Sequence, residues 1–465
     1  MPNLEVVMKR ISIPFVASTL ALMMGCGGSS DSQTSTQLPN HTTITAIELA
    51  PHVYPAGFER SLQDNIDYFL DGIGVSSSTH LPYDHVLVNG ENIAVSSYTN
   101  ISTIALYINV LIEMVEANDE KAIARLERVL TQLEAAPKWR GLFYWLYQFE
   151  NQKLAINQDA TASAVDNAIT SFTLAGLVGA FENHSNERLN AIADRAEQLL
   201  TAQQSGWEAL YDSTRGLLRA GWSNKSNDFL GYYIDRKANE SRLAPLWAVL
   251  VSEGRVPTTV FEDMWLMTGN VELNGNTVNP LLTWDGSYFQ AMLPALWLDE
   301  ASLIPDYQIV TDFSRVHATY ADKYNIPFVS ASATVADGYA AYGLESVSES
   351  YRKFGHSIET GTTGSPHTLA LYYMINETDA LNRLNKLKQD NPQIETSAGW
   401  VDAINDQGEV SRKVIGLDQG MFVGAFIAES IRDNVYRYLA SRNYQATLEL
   451  MYDDFVADEN LSATP

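Results

Sequence analysis

Five acidic residues stand where a polar loop gives way to an apolar run: Asp166 in SAVDNAITSF, Glu240 in KANESRLAPL, Asp285 in LTWDGSYF, Asp402 in GWVDAIN and Asp418 in GLDQGMF. Taken singly, each reads as a carboxylate at a helix start, where unpaired amides and the helix dipole favour an anion. If their helices form one inner wall, the five carboxylates gather at one end. Paired carboxylates in an aromatic cleft can hydrolyse a glycosidic bond, one as proton donor and the other as base or nucleophile. Metal chemistry has no signature: the eight histidines are scattered and no HExxH occurs, so neither a metal nor an organic cofactor is expected. GxSxG, GxGxxG and GxxxxGK[ST] are absent too.

The stretch around Glu240 shows how an element would position such a group. Leu243, Leu246, Trp247 and Leu250 fall at i, i+3, i+4 and i+7 and form one apolar stripe. Asn239 can cap this helix, and Gly254 with Pro257 can stop it. An inner-wall helix is expected, with Glu240 and Arg242 in its first turn.

The same helical spacing recurs along most of the chain, while alternating runs are few. Helices are expected at roughly 58–72, 100–116, 119–135, 166–182, 186–203, 240–252, 258–267, 286–297, 307–323, 367–375, 377–389, 418–430 and 434–455. No Pro-rich linker or fixed-period repeat interrupts them, so residues 46–465 read as one all-α domain, a closed array of helical hairpins. Between the helices, segments 204–239, 268–287, 325–343, 360–367 and 396–420 read as long loops rich in Gly, Ser, Thr and Asn. They carry Trp207, Trp222, Tyr232, Tyr233, Trp284, Phe328, Tyr339, Tyr342 and Trp400. Aromatic faces beside polar groups suit a sugar, whose CH faces stack while its hydroxyls need donors and acceptors. Tyr233, Trp284, Phe328, Tyr339 and Trp400 are therefore candidate substrate contacts, with Asn239, Arg242, Asp285, His367 and Gln419 beside the carboxylates. Packing the loops down is the other role open to these rings, and His367 in GSPHTLALYY can equally cap its helix.

Charge narrows the partner. With 30 basic and 56 acidic residues the net charge is −26, which opposes binding to nucleic acid or an anionic membrane surface. A lyase acting on uronic acids needs a basic cleft and fits an acidic chain poorly, although His317, His367 and the tyrosines offer bases. A neutral polysaccharide is the easier partner, and a monomer is expected.

At the N-terminus, Lys9 and Arg10 precede an apolar run that ends in LMMGC, so residues 1–25 read as a signal peptide. Cys26 is the sole cysteine, and LMMGC resembles a lipobox, which makes it the candidate lipid attachment site. Residues 26–45 read as a flexible tether, rich in Ser, Thr and Gln. A lipoprotein of the bacterial envelope, in the periplasm or at the outer membrane, is expected.

An ordered set of segments resembles the glycoamylase-like domain group, whose members include the endo-β-1,2-glucanases of glycoside hydrolase family 144. The segments are SSYTNISTIALYI, RLERVLTQLEAAPKWRGLFYWLY, VDNAITSFTLAGL, ANESRLAPLWAV, GSYFQAMLPALWLD, SASATVADGYAAYG, GTTGSPHTLALYYM, GWVDAIN and GLDQGMFV. The resemblance implies an (α/α)6 barrel with long loops over one end. It also implies cleavage of linear β-1,2-glucan, with inversion, into short sophorooligosaccharides, with Glu240 at the general acid and Asp166 at an opposing catalytic aspartate. Three positions depart from the pattern. Ile169 stands where the family helix carries a second acid, Ala333 replaces the aspartate after T-A-S, and Gln290 stands where related domains often carry Glu. The base must then come from elsewhere, with Asp402 and Asp418 as candidates, or the linkage differs, or the protein only binds glucan.

Overall fold

The computed structural model describes residues 34–37, 54–117 and 119–462. The expected signal peptide and Cys26 lie outside the described residues. Sixteen α-helices occur among the described residues: α1 Glu59–Ile66, α2 Ile101–Glu116, α3 Glu120–Ala135, α4 Ala164–Phe181, α5 Glu187–Leu210, α6 Leu243–Val251, α7 Thr259–Glu262, α8 Tyr288–Met292, α9 Glu300–Leu303, α10 Gln308–Tyr324, α11 Glu349–Phe354, α12 Pro366–Tyr373, α13 Glu377–Asp390, α14 Gly416–Phe426, α15 Ala428–Ser441 and α16 Gln445–Asp453. The fold is mostly helical, as expected.

Local chemistry explains where several helices begin. Asn100 accepts a hydrogen bond from the Thr103 amide at 2.7 Å to cap α2, and Asp119, Ser163 and Asn186 cap α3, α4 and α5 in the same way. Helix α2 packs on α4, α4 on α6, α8 on α12, α12 on α14, and α14 again on α2. The 3₁₀ turn Glu240–Arg242 touches α4, α6 and α8. On the outside, α3 covers α2 and α5, and α13 covers α12. Helix α15 lies against α4 at close range: a Cβ on Gly179 would stand 1.9 Å from the Asn434 carbonyl oxygen, so the two backbones meet where no side chain fits.

Short strands, which the sequence hardly announces, lead into the inner helices. Tyr98–Asn100 runs into α2, Thr161–Ser163 into α4, Thr363–Gly364 toward α12, and Lys413–Ile415 into α14. Each is pinned by a partner: Leu146–Glu150, Gly221–Ser223, Ile404–Asn405 and His85–Asn89 respectively. Backbone pairing therefore fixes the entry of each helix, and with it the first-turn side chains Ser102, Asp166, His367 and Asp418.

Several expected boundaries are corrected. The helix expected at 186–203 runs on to Leu210, so Trp207 lies in a helix and is buried. The long C-terminal helix breaks into α15 and α16, and Ile427 separates α14 from α15. The 258–267 segment keeps only the four residues of α7, while α9 and α11 arise in stretches for which no helix is expected. The helix expected from residue 240 starts as a 3₁₀ turn and becomes α-helical at Leu243. Within the expected tether, Thr34–Gln37 forms an edge strand on Asn92–Val95. Pairing there needs only backbone groups, which a run of Ser, Thr and Gln supplies as well as an apolar strand.

Candidate active site

Glu240 opens the 3₁₀ turn at the junction of α4, α6 and α8 and is only 8% exposed. Burial is the main reason its proton affinity is raised, to about 7; its own amide and Arg242 pull it down, while Asp285 and Asp166 push it back up. Its Oε2 is buried and makes no hydrogen bond. A carboxyl placed like this can hold a proton at neutral pH and release it to a reacting oxygen.

The two acids beside it are held from different elements. Asp166, in the first turn of α4, accepts from the Ser102 hydroxyl at 2.7 Å, and burial raises its pKa. Asp285 lies ahead of α8, where burial raises it to about 6 against a hydrogen bond from Gln290 at 3.3 Å. Asn239 does not cap its own helix as expected. Its side-chain oxygen accepts instead from the Trp284 amide at 2.9 Å and ties the Glu240 turn to the Asp285 loop.

A second acidic group comes from the far side of the chain. Asp402 sits in the loop between strands Gly399–Trp400 and Ile404–Asn405, not at a helix start, and its Oδ2 accepts from the Ala333 amide at 2.6 Å. Asp418 lies in the first turn of α14. Burial, the Asp402 charge and Asp84 push Asp418 far up. Burial also works against ionised Asp402, but hydrogen bonds from Asp418, His367 and Ala333 outweigh it and hold Asp402 below its usual range. The two carboxyls are thus pushed apart, Asp418 toward its protonated form and Asp402 toward its ionised form. Tyr339 joins the two groups: burial comes first among the causes that raise its pKa, followed by the charges of Asp418, Asp402, Glu240 and Asp84. The Tyr339 phenol thus feels the charge of both acidic groups.

Several expected contacts are turned elsewhere. Arg242 is buried in a bidentate pair with Glu300, at 2.7 and 2.6 Å, and cannot reach a ligand. Phe328 is fully buried among Tyr288, His317 and Tyr372, and Trp400 between Phe58 and Phe422. Gln419 donates to the Trp400 carbonyl at 2.9 Å and so supports the loop that carries Asp402. Tyr233 spends its hydroxyl on Asp212 at 2.6 Å, under Arg215 and Arg219. It is the preceding Tyr232 whose phenol feels Asp166. Trp284 remains half-buried, packed near Phe354 and His356 with Arg236 over its ring.

His367 is buried, with Nδ1 2.7 Å from the Ser365 hydroxyl and 3.5 Å from Asp418. Residues that sequence reasoning did not single out include Asp84, Ser102 and Ser365. Asp84 precedes strand His85–Asn89, and its carbonyl accepts from the Gly416 amide at 2.7 Å, which places it beside α14. Nothing in PYDHV marks that position, because the strand pairing that brings it there joins residues over 300 apart. At the departures from the family pattern, Ile169 is core on α4, and Ala333 packs with Ala403 and Ile415 while its amide holds Asp402.

Residues 232–438 match the Glycoamylase family model, described as "Putative glucoamylase". This segment contains Glu240, Asp285, Asp402 and Asp418 and leaves out Asp166. No curated protein matches the chain in sequence. Among solved structures, the endo-β-1,2-glucanase of Talaromyces funiculosus in complex with sophorose superposes with a TM-score of 0.75 at 12% identity, covering 85% of this chain and 88% of that one. The endo-β-1,2-glucanase of Chitinophaga pinensis, in complex with sophorotriose and glucose, gives 0.66 at 17% identity, with 82% and 96% covered. The β-1,2-glucanase of Parabacteroides distasonis gives 0.64 at 14%, with 86% and 60% covered. The likeness to the glycoamylase-like domain group thus holds, in sequence over residues 232–438 and in fold over 85% of the chain.

Proposed function

We propose that this protein is a glycoside hydrolase that cleaves a β-glucan, with Glu240 as general acid and the Asp402–Asp418 pair supplying the base. The observation that carries this reading is the state of Glu240: buried, free of hydrogen bonds at Oε2, and protonated up to about pH 7 in a site lined by other carboxylates. Asp402, held ionised, is suited to take a proton from water while Glu240 gives one to the leaving oxygen. An inverting reaction needs room for that water, about 6.5–9.5 Å between the carboxyls. Tyr339, whose phenol feels the charges of both Glu240 and Asp402, is the proposed group to orient it.

The β-1,2 linkage is the preferred substrate, with endo cleavage to sophorooligosaccharides. Its support is the shared fold with endo-β-1,2-glucanases and the family match across Glu240. The scaffold is read as an (α/α)6 barrel, supported by the inner helices packing in succession and α14 returning to α2. The same proposal reads the leader as that of a bacterial envelope lipoprotein, with Cys26 as its anchor, on the support of the LMMGC motif. Cys26→Ser should move it from the membrane to the soluble fraction, and an unchanged distribution would remove the anchor.

Product analysis on linear β-1,2-glucan, beside β-1,3-, β-1,4- and β-1,6-glucans, tests the activity. Wild type should release sophorooligosaccharides and Glu240→Gln should release none, a loss of at least about 10²-fold. Binding without hydrolysis on every glucan would make the protein a glucan-binding module instead.

A further inference from the structure

His367, Asp402 and Asp418 are far apart in sequence and share one buried space. One donor atom from each lies within 4.8 Å of the other two. His367 Nδ1 is 3.5 Å from Asp418 Oδ2 and 3.9 Å from Asp402 Oδ1. Donors held about 2.1 Å from a four-coordinate cation stand about 3.4 Å from one another, so modest side-chain rotations would close the shell. The Ser365 hydroxyl, 2.7 Å from His367 Nδ1 and 3.3 Å from Asp402 Oδ1, lies within reach as a further oxygen donor.

Two further observations point to a cation. Asp418 Oδ2 is buried, faces His367 and makes no hydrogen bond, in a side chain only 6% exposed. Among the described residues no lysine or arginine forms an ion pair with Asp402 or Asp418, although Asp84 adds its charge to theirs. Buried carboxylates are ordinarily paired or bound to metal. Orientation is already fixed: the Ala333 amide occupies Asp402 Oδ2 and leaves Oδ1 toward His367. One imidazole with two carboxylate oxygens suits zinc-type transition metals, whereas Mg²⁺ and Ca²⁺ prefer larger all-oxygen shells.

We propose that His367, Asp402 and Asp418 form a binding site for one divalent transition-metal cation of the zinc type. Binding stands on the geometry alone. Its consequence rests on the hydrolytic reading: the cation takes the carboxylates assigned to the base, so metal loading and glucan hydrolysis exclude each other.

The test is equilibrium dialysis of the purified, tag-free, chelator-stripped protein against Zn²⁺, with bound metal quantified and Mg²⁺ in parallel. One Zn²⁺ per chain is expected, with Co²⁺ giving the visible spectrum of a low-coordinate site. His367→Ala and the isosteric Asp418→Asn should each weaken binding at least about 100-fold, with folding checked by circular dichroism. No saturable Zn²⁺ binding, or equal binding by both folded variants, would overturn the site as adventitious. If wild type hydrolyses glucan and saturating Zn²⁺ leaves the rate unchanged, mutual exclusion is overturned. Should no glucan be cleaved, the hydrolytic reading fails while dialysis still decides the metal site.

Discussion

Arg242 is held by Glu300 through two hydrogen bonds, Nε to Oε1 at 2.7 Å and Nη2 to Oε2 at 2.6 Å, with Tyr452 donating to the same Oε1. This pairing takes the only cation of the Glu240 turn into the protein and leaves the Glu240 carboxyl without a hydrogen-bonded counter-ion. Removing one partner of a buried pair strands the other charge. Arg242→Ala should therefore destabilise the fold by about 3–5 kcal/mol in denaturant unfolding. Arg242→Leu combined with Glu300→Leu should recover part of that loss.

Glu240 holds its proton more tightly folded, at about 7, than at the ordinary value of 4.5. Its contribution to stability is full below pH 4.5 and is lost as pH rises through about 7, on the order of 3 kcal/mol. Unfolding midpoints in urea, measured from pH 4.5 to 8, should show that decline in wild type. Glu240→Gln should flatten it and be the more stable protein at pH 8.

If Glu240 is the acid of the proposed hydrolysis, the same protonation sets its alkaline limb. Hydrolysis of a β-glucan should fall above pH 7 as Glu240 ionises, and kcat/KM measured across pH 5–9 reports that limb. A rate flat to pH 9 would remove Glu240 as the acid.

Tyr339 closes a short hairpin in which Ser332–Ala333 pairs with Tyr339–Ala340, and Arg412 secures its turn through Asp337 at 2.8 and 2.5 Å. Tyr339→Phe keeps the ring and deletes the hydroxyl that feels both acidic groups. A fall in kcat of about tenfold or more is expected, with a melting temperature close to wild type. Arg412→Ala should cost less than about 1 kcal/mol, because the pair is partly exposed, yet raise proteolysis at the hairpin.

Trp284 offers a half-buried ring beside Asp285, near Phe354, which is 47% exposed. Trp284→Ala should raise KM for long glucans several-fold and change kcat less, since stacking holds ground state and transition state alike. Initial rates against chain length would show it.

How much was legible varied with the range of the forces involved. The helices around Ile104, Leu174 and Leu246 follow from apolar spacing, and the caps at Asn100 and Ser163 from side chains acting within three residues. The short strands were missed because two or three residues carry no periodicity, and their pairing joins distant segments. The burial of Phe328 and Trp400 is not legible because a loop position reveals nothing about burial, and nothing local distinguishes Tyr232 from Tyr233.

The sequence by itself determined the mainly helical content, the acidic character that opposes polyanionic partners, and the likeness across Glu240, since these depend on composition, local spacing and ordered motifs. Tertiary structure alone decided which acids meet. Asp84 precedes a strand, Asp402 lies in a loop, and His367 and Asp418 stand in the first turns of two helices, so only strand pairing between separate segments brings them together. Their proton affinities follow from that meeting, because burial and neighbouring charge, not residue type, decide which carboxyl keeps its proton.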